Sequence, residues 1–470
     1  MKPSYTERVL QLFTDVRAGE GSTALLMFAN VFLVLCAYYF VKPLREGWIA
    51  VSGIPALSKM EVKAYSSFGQ SLLLVFVVNA YGKLSDRHGR SALITRATLF
   101  CMSNLALFWL LQPNFLVGEV PGVGVVFYLW VGMFGAFVVA QFWAFAADLY
   151  TDEQGRRLIP LIAIGATVGA AAGSWITERL VSSGLVETEF LLLLALLPLA
   201  ASVGLTYLAD ARGPIGEGAL AGPRKRPAAT SGRAALDVIF TNRYLATVAA
   251  ITLLMSWVNT NGENLLFRMV QEVLEEHARE QGVTDAAAVS RFIKHGTTAF
   301  YGNFFLWVNA VALVLQAFVA SRLLKYGGLA AVLLLLPLVA LSSYSAMFLL
   351  PVLGVVKLMK VAENSADYSI NNTARHVLWL PTTAEVKYKG KPTIDSLFVR
   401  IGDGLAAVTV LIGVQILALH TETFFAFNVL LVVVWIAVTA AVIREHGRLP
   451  AQLVDQTEED TGSRPSAVEA

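Results

Sequence analysis

The chain has 470 residues, of which 56% are hydrophobic and 15% charged, with a formal net charge of +2. A soluble domain carries about 25% charged residues, so the composition excludes a soluble protein, and nucleic acid is not an expected partner. Many apolar runs reach the roughly 20 residues that cross a bilayer, and the expectation is an all-α, multi-pass membrane protein with lipid around it.

Residues Met1 to Gly21 are polar and mixed in charge, unlike a cleaved signal or an Arg/Ser-rich transit peptide. The first apolar run begins near Ser22 and ends in Tyr38-Tyr39-Phe40-Val41-Lys42-Pro43-Leu44-Arg45-Glu46-Gly47-Trp48. Each charge at the bilayer centre costs about 2.5–3.5 kcal/mol on insertion scales. Lys42, Arg45 and Glu46 fall on one helical face, and Pro43 removes a donor. The segment reads as a slightly broken helix lining a polar cavity, or as residues snorkelling at a surface marked by Trp48. Cys36 and Cys101 lie in apolar runs and read as packing residues.

Twelve spans are expected, at about 22–44, 64–82, 91–112, 123–147, 158–180 and 189–209, then 244–264, 299–321, 328–350, 352–372, 394–419 and 422–443. Connections after even-numbered spans are basic, with Lys83, Arg87 and Arg90 after span two and Arg224, Lys225 and Arg226 after span six among them. Both termini are therefore expected in the cytoplasm. Two regions depart from the rule: Lys42 to Lys63, and Arg268 to His295 after span seven. The latter reads as an acidic outside helix, with Glu272, Glu275, Glu276 and Glu280. Residues 210–235 are rich in Gly, Pro, Ala and Arg and read as a cytoplasmic linker. It divides a six-helix bundle at 1–209 from a second at 236–443, followed by a cytoplasmic tail at 444–470. Two repeated halves are a transporter layout.

Between spans two and three, Gly82-Lys83-Leu84-Ser85-Asp86-Arg87-His88-Gly89-Arg90 matches the G-x-L-x-D-R-x-G-R signature of the major facilitator superfamily. Gly82, Asp86, Arg87, Gly89 and Arg90 are expected to form a gating latch on the inward side. Ser321 to Gly328 is a degenerate counterpart. Gly165, Gly169 and Gly173, four apart, predict close helix packing. Span seven carries Asn259, Asn261, Glu263 and Asn264 around Gly262, a helix breaker. In span ten Lys357, Lys360, Glu363, Asn364 and Asp367 share a face, and Arg400 and Asp403 repeat the pattern in span eleven. These ionisable groups are expected to line the cavity or pair with one another. No metal cluster, Walker loop, catalytic triad or cofactor fingerprint stands out, so an enzyme, a metal site and a cofactor are not expected.

Tyr39 to Glu46, Phe142 to Gly173, Asp367-Tyr368-Ser369, Lys387-Tyr388-Lys389-Gly390-Lys391-Pro392-Thr393-Ile394-Asp395 and Arg400-Ile401-Gly402 together resemble the plastid and intracellular-parasite type ATP/ADP translocases. The resemblance is patchy but covers most of the chain. It implies twelve spans, distant kinship with the major facilitators, and exchange or import of nucleotides. Lys42 falls on the first-span lysine implicated in that family's transport. The other family charges fall on Val131, on Asn259 with Glu263 as a shifted substitute, and on Asp403, so three of four are replaced.

The leading expectation is a secondary transporter of a small anion, ATP and ADP among the candidates, in a bacterial inner membrane. Lys42, Arg45, Lys357 and Arg400 would meet the anion; Lys360 would join an internal network; Glu46, Glu263, Glu363 and Asp403 would balance the cations. One alternative is proton-coupled efflux of an amphiphile past Phe142, Trp143, Trp257 and Phe267. Another is a non-transporting protein on the same fold.

Overall fold

Apolar runs of membrane length can satisfy their backbone only as helices, and each of the twelve expected spans coincides with helix in a computed structural model. The structure describes residues 16–17, 19–85, 90–112, 122–212, 232–379, 382 and 390–462, with side chains over the same residues except 78–93, 152, 232–235, 238, 376 and 449–462. Asp86, Arg87 and Gly89, the side chain of Arg90, and most of the linker lie outside this description, as do residues 383–389.

The first six helices are α1 (Gly21–Ala50), α2 (Lys59–Ser85), α3 (Arg90–Leu110), α4 (Val123–Leu149), α5 (Asp152–Ser182) and α6, built from Phe190–Leu194 and Leu196–Ala211. A short helix, Gly232–Thr241, precedes the rest. These are α7 (Arg243–Glu280), α8 (Ala286–Val314, continued by a π turn), α9 (Ser321–Leu349), α10 (Leu353–Ala366, then a π turn and Asn372–Val377), α11 (Val399–Leu411, between two π turns) and α12 (Thr421–Gly462). Among the described residues, seven helical segments are long and apolar enough to cross a membrane, and no strand is present. The molecule is a multi-pass integral membrane protein. We call the end holding Gly21 and Arg444 proximal and the end holding Ala50 and Thr421 distal.

Polar side chains set the helix starts. Thr151 and Gln154 close a reciprocal capping box on α5. Asn242 caps Leu245 N at 3.2 Å, and Asp285 caps Ala288 N at 2.8 Å. The α8–α9 run is interrupted at Gly328, whose φ of 66° and ψ of −172° only glycine adopts readily.

Three sequence expectations are corrected. α1 is unbroken through Pro43. α7 is likewise continuous through Gly262. Gly262 is a packing residue: a Cβ there would lie 2.0 Å from Tyr344 Oη and 2.8 Å from Lys360 Nζ. The segment from Arg268 is no separate helix; α7 continues to Glu280, and α8 begins at Ala286.

Small residues bring the cavity-forming helices together. Built Cβ atoms at Gly165, Gly169 and Gly173 of α5 would meet the Phe28, Phe32 and Cys36 carbonyls of α1 at 2.8, 2.3 and 2.6 Å, so the two backbones are in contact along three turns. At the distal end Gly47 of α1 lies against Lys294 and Thr298 of α8. Gly402 does the same for α11, its Cβ position 2.7 Å from the Leu253 carbonyl of α7. Trp48 is buried against Phe108 and Phe127, so it marks no membrane surface. Cys36 and Cys101 are free and buried.

Candidate substrate site

A cavity of about 210 Å³ opens where the first and last sets of helices face each other at mid-depth. α1 contributes Lys42, Arg45 and Glu46, and α2 contributes Lys63, Ser67, Gln70 and Ser71. Opposite them stand Asn259, Thr260, Glu263 and Asn264 of α7, Asn364 and Tyr368 of α10, and Arg400 and Asp403 of α11. Tyr128 and Phe305 complete the lining. Six of the nine charged residues expected at a substrate site meet here: Lys42, Arg45, Glu46, Glu263, Arg400 and Asp403.

The other three are placed differently. Lys360 is fully buried behind the wall, where its ammonium lies 3.1 Å from Glu363 Oε2, 3.2 Å from Asn259 Oδ1 and 3.7 Å from Glu263 Oε1. Lys360 and Glu363 therefore pair with each other behind the wall and, contrary to the expectation of substrate contact, do not line the cavity. Lys357 is outside the lining: it donates to Asn303 Oδ1 at 2.7 Å and sits 5.3 Å from the Phe300 ring. It shares a helical face with Lys360 but lies one turn nearer the distal end, at the α8 contact.

Each carboxylate has a cation. Glu46 takes Arg45 at 3.0 Å and Lys63 at 3.1 Å. Asp403 takes Arg400 at 3.5 Å, accepts from Ser256 at 3.0 Å and Thr260 at 2.8 Å, and is also bonded by Ser71. Glu263 accepts from Asn364 at 2.7 Å. Lys42 is the exception. It is 8% exposed and has no carboxylate within ion-pair distance among the described residues. Aromatic faces surround its ammonium instead: Phe305 at 4.0 Å, Tyr39 at 5.0 Å, Tyr38 at 5.8 Å and Tyr368 at 5.9 Å. Such faces stabilise a cation without neutralising it.

Lys63 is the site residue that motif reasoning passed over. It bonds Tyr301 Oη at 3.4 Å and the Glu263 carbonyl at 3.3 Å, across to the second set of helices. The signal was present: Lys63, Ser67, Gln70 and Ser71 form a polar stripe at helical spacing in an apolar run. Val131, matched to a family glutamate, is fully buried in apolar packing. Phe142, Trp143, Trp257 and Phe267, expected around a greasy site in the alternative reading, do not line this cavity.

Among the described residues, the hydrogen bonds and ion pairs seen between the two sets of helices lie at cavity depth or beyond it. At the distal end, Lys59 meets Glu275 at 2.8 Å, Gln415 donates to Glu61 at 2.8 Å, and Lys294 pairs with Glu189. No group of three or more His, Cys, Asp or Glu is placed to hold a metal among the described residues.

No curated protein matches the chain. Among solved structures, a variant of the nucleoside transporter NupG aligns over 89% of this chain and 99% of its own, with a TM-score of 0.60 at 14% identity. An auto-inhibited POT family peptide transporter aligns over 90% and 97%, with a TM-score of 0.62 at 11% identity. The human organic anion transporter MFSD10 aligns over 90% and 100%, with a TM-score of 0.56 at 14% identity. The shared fold is that of the major-facilitator-like transporters. Residues 334–446, which carry Lys360, Glu363, Arg400 and Asp403, match the family model described as TLC ATP/ADP transporter.

Proposed function

We propose that the chain is a secondary transporter that carries a small anion by alternating access. One observation carries the reading: Lys42 lines a mid-depth cavity with no carboxylate within ion-pair distance among the described residues. An anion reaching it gains Coulomb attraction without first breaking an ion pair. Arg45 and Arg400 flank the space, and guanidinium groups suit bidentate contact with carboxylate or phosphate. The bundles at 1–209 and 236–443, joined by the linker at 210–235, are the bodies that rock, with 444–470 as a cytoplasmic tail.

The distal pairs hold one side shut, and Gly82, Asp86, Arg87, Gly89 and Arg90 latch the other in the alternate state. The basic connections support a cytoplasmic proximal end, and a bacterial inner membrane is the proposed location. Nucleotides are the first substrates to test, because the family match takes in α10 and α11, two of the helices that line the cavity. ATP:ADP exchange is the specific form of that reading.

Counterflow in proteoliposomes tests it. Vesicles holding the protein are preloaded with unlabelled ADP, and labelled ATP is added outside. The expected result is uptake that depends on internal ADP and is lost in Lys42→Ala. Normal uptake in that variant would remove Lys42 from the site. Absence of ATP uptake by folded protein would reject nucleotide exchange and move the search to other anions.

A further inference from the structure

The two walls of the cavity carry opposite charge. On the α1/α2 wall, Lys42, Arg45 and Lys63 stand against one carboxylate, Glu46. On the α7/α10/α11 wall, Arg400 stands against two, Glu263 and Asp403, while Lys360 and Glu363 behind it offset each other. The first wall has two positive charges to spare and the second has one negative. The spare charges also reach the lumen differently. Among the described residues Lys42 lacks a carboxylate partner, and the side chain of Glu263 is 25% exposed, against 14% for Asp403 and 3% for Glu46.

A ligand leaving water must replace its hydration with opposite charge at matching places. A simple polyanion finds its match on one wall and repulsion on the other. A molecule that carries both acid groups and an ammonium matches both. The volume of about 210 Å³ falls below the roughly 300–1,000 Å³ of pockets for drug-sized ligands, so the molecule is compact.

Resting on the transporter reading above, we propose that the cargo is a compact amphoteric anion. Two negative charges are directed to Lys42 and Arg45, and one ammonium to Glu263. Acidic amino acids and amine phosphates share this chemistry.

The test uses four labelled probes, each counterflowed against its own unlabelled form: L-glutamate, O-phosphoethanolamine, and their amine-free counterparts glutarate and ethyl phosphate. ATP against ADP is run on the same vesicles. The expected result is protein-dependent uptake of an amphoteric probe, at least about tenfold faster than its amine-free counterpart, because a site built to bind a polar group rejects the analogue lacking it. In Glu263→Gln that ratio should fall toward one while the amine-free compound is still carried. The two amphoteric arms separate the amino-acid source from the amine-phosphate source. Uptake of neither amphoteric probe, or equal uptake of the amine-free compounds by the unaltered protein, overturns the inference. ATP/ADP exchange alone would overturn it and leave the transporter reading standing. No flux of any compound by folded protein would fail both.

Discussion

Thr177 on α5 donates its hydroxyl to the carbonyl of Tyr39 on α1 at 3.2 Å. Tyr39 is four residues before Pro43, so its carbonyl is the one that proline leaves without a helical donor. The side chain thus supplies the hydrogen bond that the backbone cannot, and α1 runs through Pro43 to Ala50. Thr177→Val keeps the shape and removes the donor, and an unsatisfied buried carbonyl costs about 1–3 kcal/mol. Pro43→Ala restores the backbone donor. Thermal unfolding in detergent should show a lower Tm for Thr177→Val and a much smaller loss when Pro43→Ala is also present. Additive effects of the two changes would sever this link.

The α1–α5 contact gives a second prediction. A methyl group at Gly169 would sit 2.3 Å from the Phe32 carbonyl, whereas nothing lies within 4 Å of one at Gly204. Overpacking costs about 1–3 kcal/mol, while replacing an open helical glycine by alanine gains up to about 1 kcal/mol. Gly169→Ala should therefore lower the Tm and Gly204→Ala hold or raise it.

Much of this fold was legible in the sequence. Span lengths and glycines every fourth residue each act through the bilayer or helix geometry, which the sequence states locally. The site was half legible. Spacing shows which residues share a face, so Lys42, Arg45 and Glu46 were found together. It does not show which neighbour that face meets at a given depth. Lys357 and Lys360 share a face, yet one meets Asn303 and the other Glu363. Lys63 looked like an orientation anomaly because its stripe partners, Ser67, Gln70 and Ser71, carry no charge. The continuity of α7 past Arg268 was hidden because hydropathy ends where the bilayer ends, not where the helix does.

Lys42 and Lys63 should separate function from stability. Lys42 has no ion pair to lose among the described residues, and the desolvation relieved by removing its buried charge offsets the aromatic contacts that are lost. Lys42→Ala should therefore leave the Tm unchanged or higher while abolishing uptake. Lys63 ties Glu46 to Tyr301 and the Glu263 carbonyl. Lys63→Ala should lower the Tm by removing contacts between the two sets of helices. Tm measurements and counterflow on the same preparations would check both.

Glu20, just before α1, accepts two bonds from Arg157 at 2.8 and 2.9 Å. Burial pushes its carboxyl up, but the Arg157 guanidinium and the Arg17 amide outweigh this and hold it below the ordinary glutamate range. A group depressed in the folded state adds stability above its unfolded value and loses it as pH falls through its folded value. Glu20→Gln should be less stable than the unaltered protein at pH 7. The gap should close as pH drops below the ordinary glutamate value of about 4.3. A gap independent of pH would show that the carboxylate charge is not what Arg157 uses.

The distal clasp provides the last prediction. Lys294 of α8 pairs with Glu189 at the start of α6, and Lys59 meets Glu275 nearby. If the helix sets rock about the mid-depth cavity, these contacts must break in every cycle. Glu189→Cys with Lys294→Cys, bridged by a short bifunctional maleimide, should stop counterflow. Either single variant treated the same way should keep it. The native Cys36 and Cys101 are buried, so the reagent acts at the introduced pair. Breaking the pair without bridging it should favour the opposite state, seen as faster labelling of residues near the distal mouth. Full transport by the bridged protein would mean that the distal end does not open, and the route through the molecule would have to lie elsewhere.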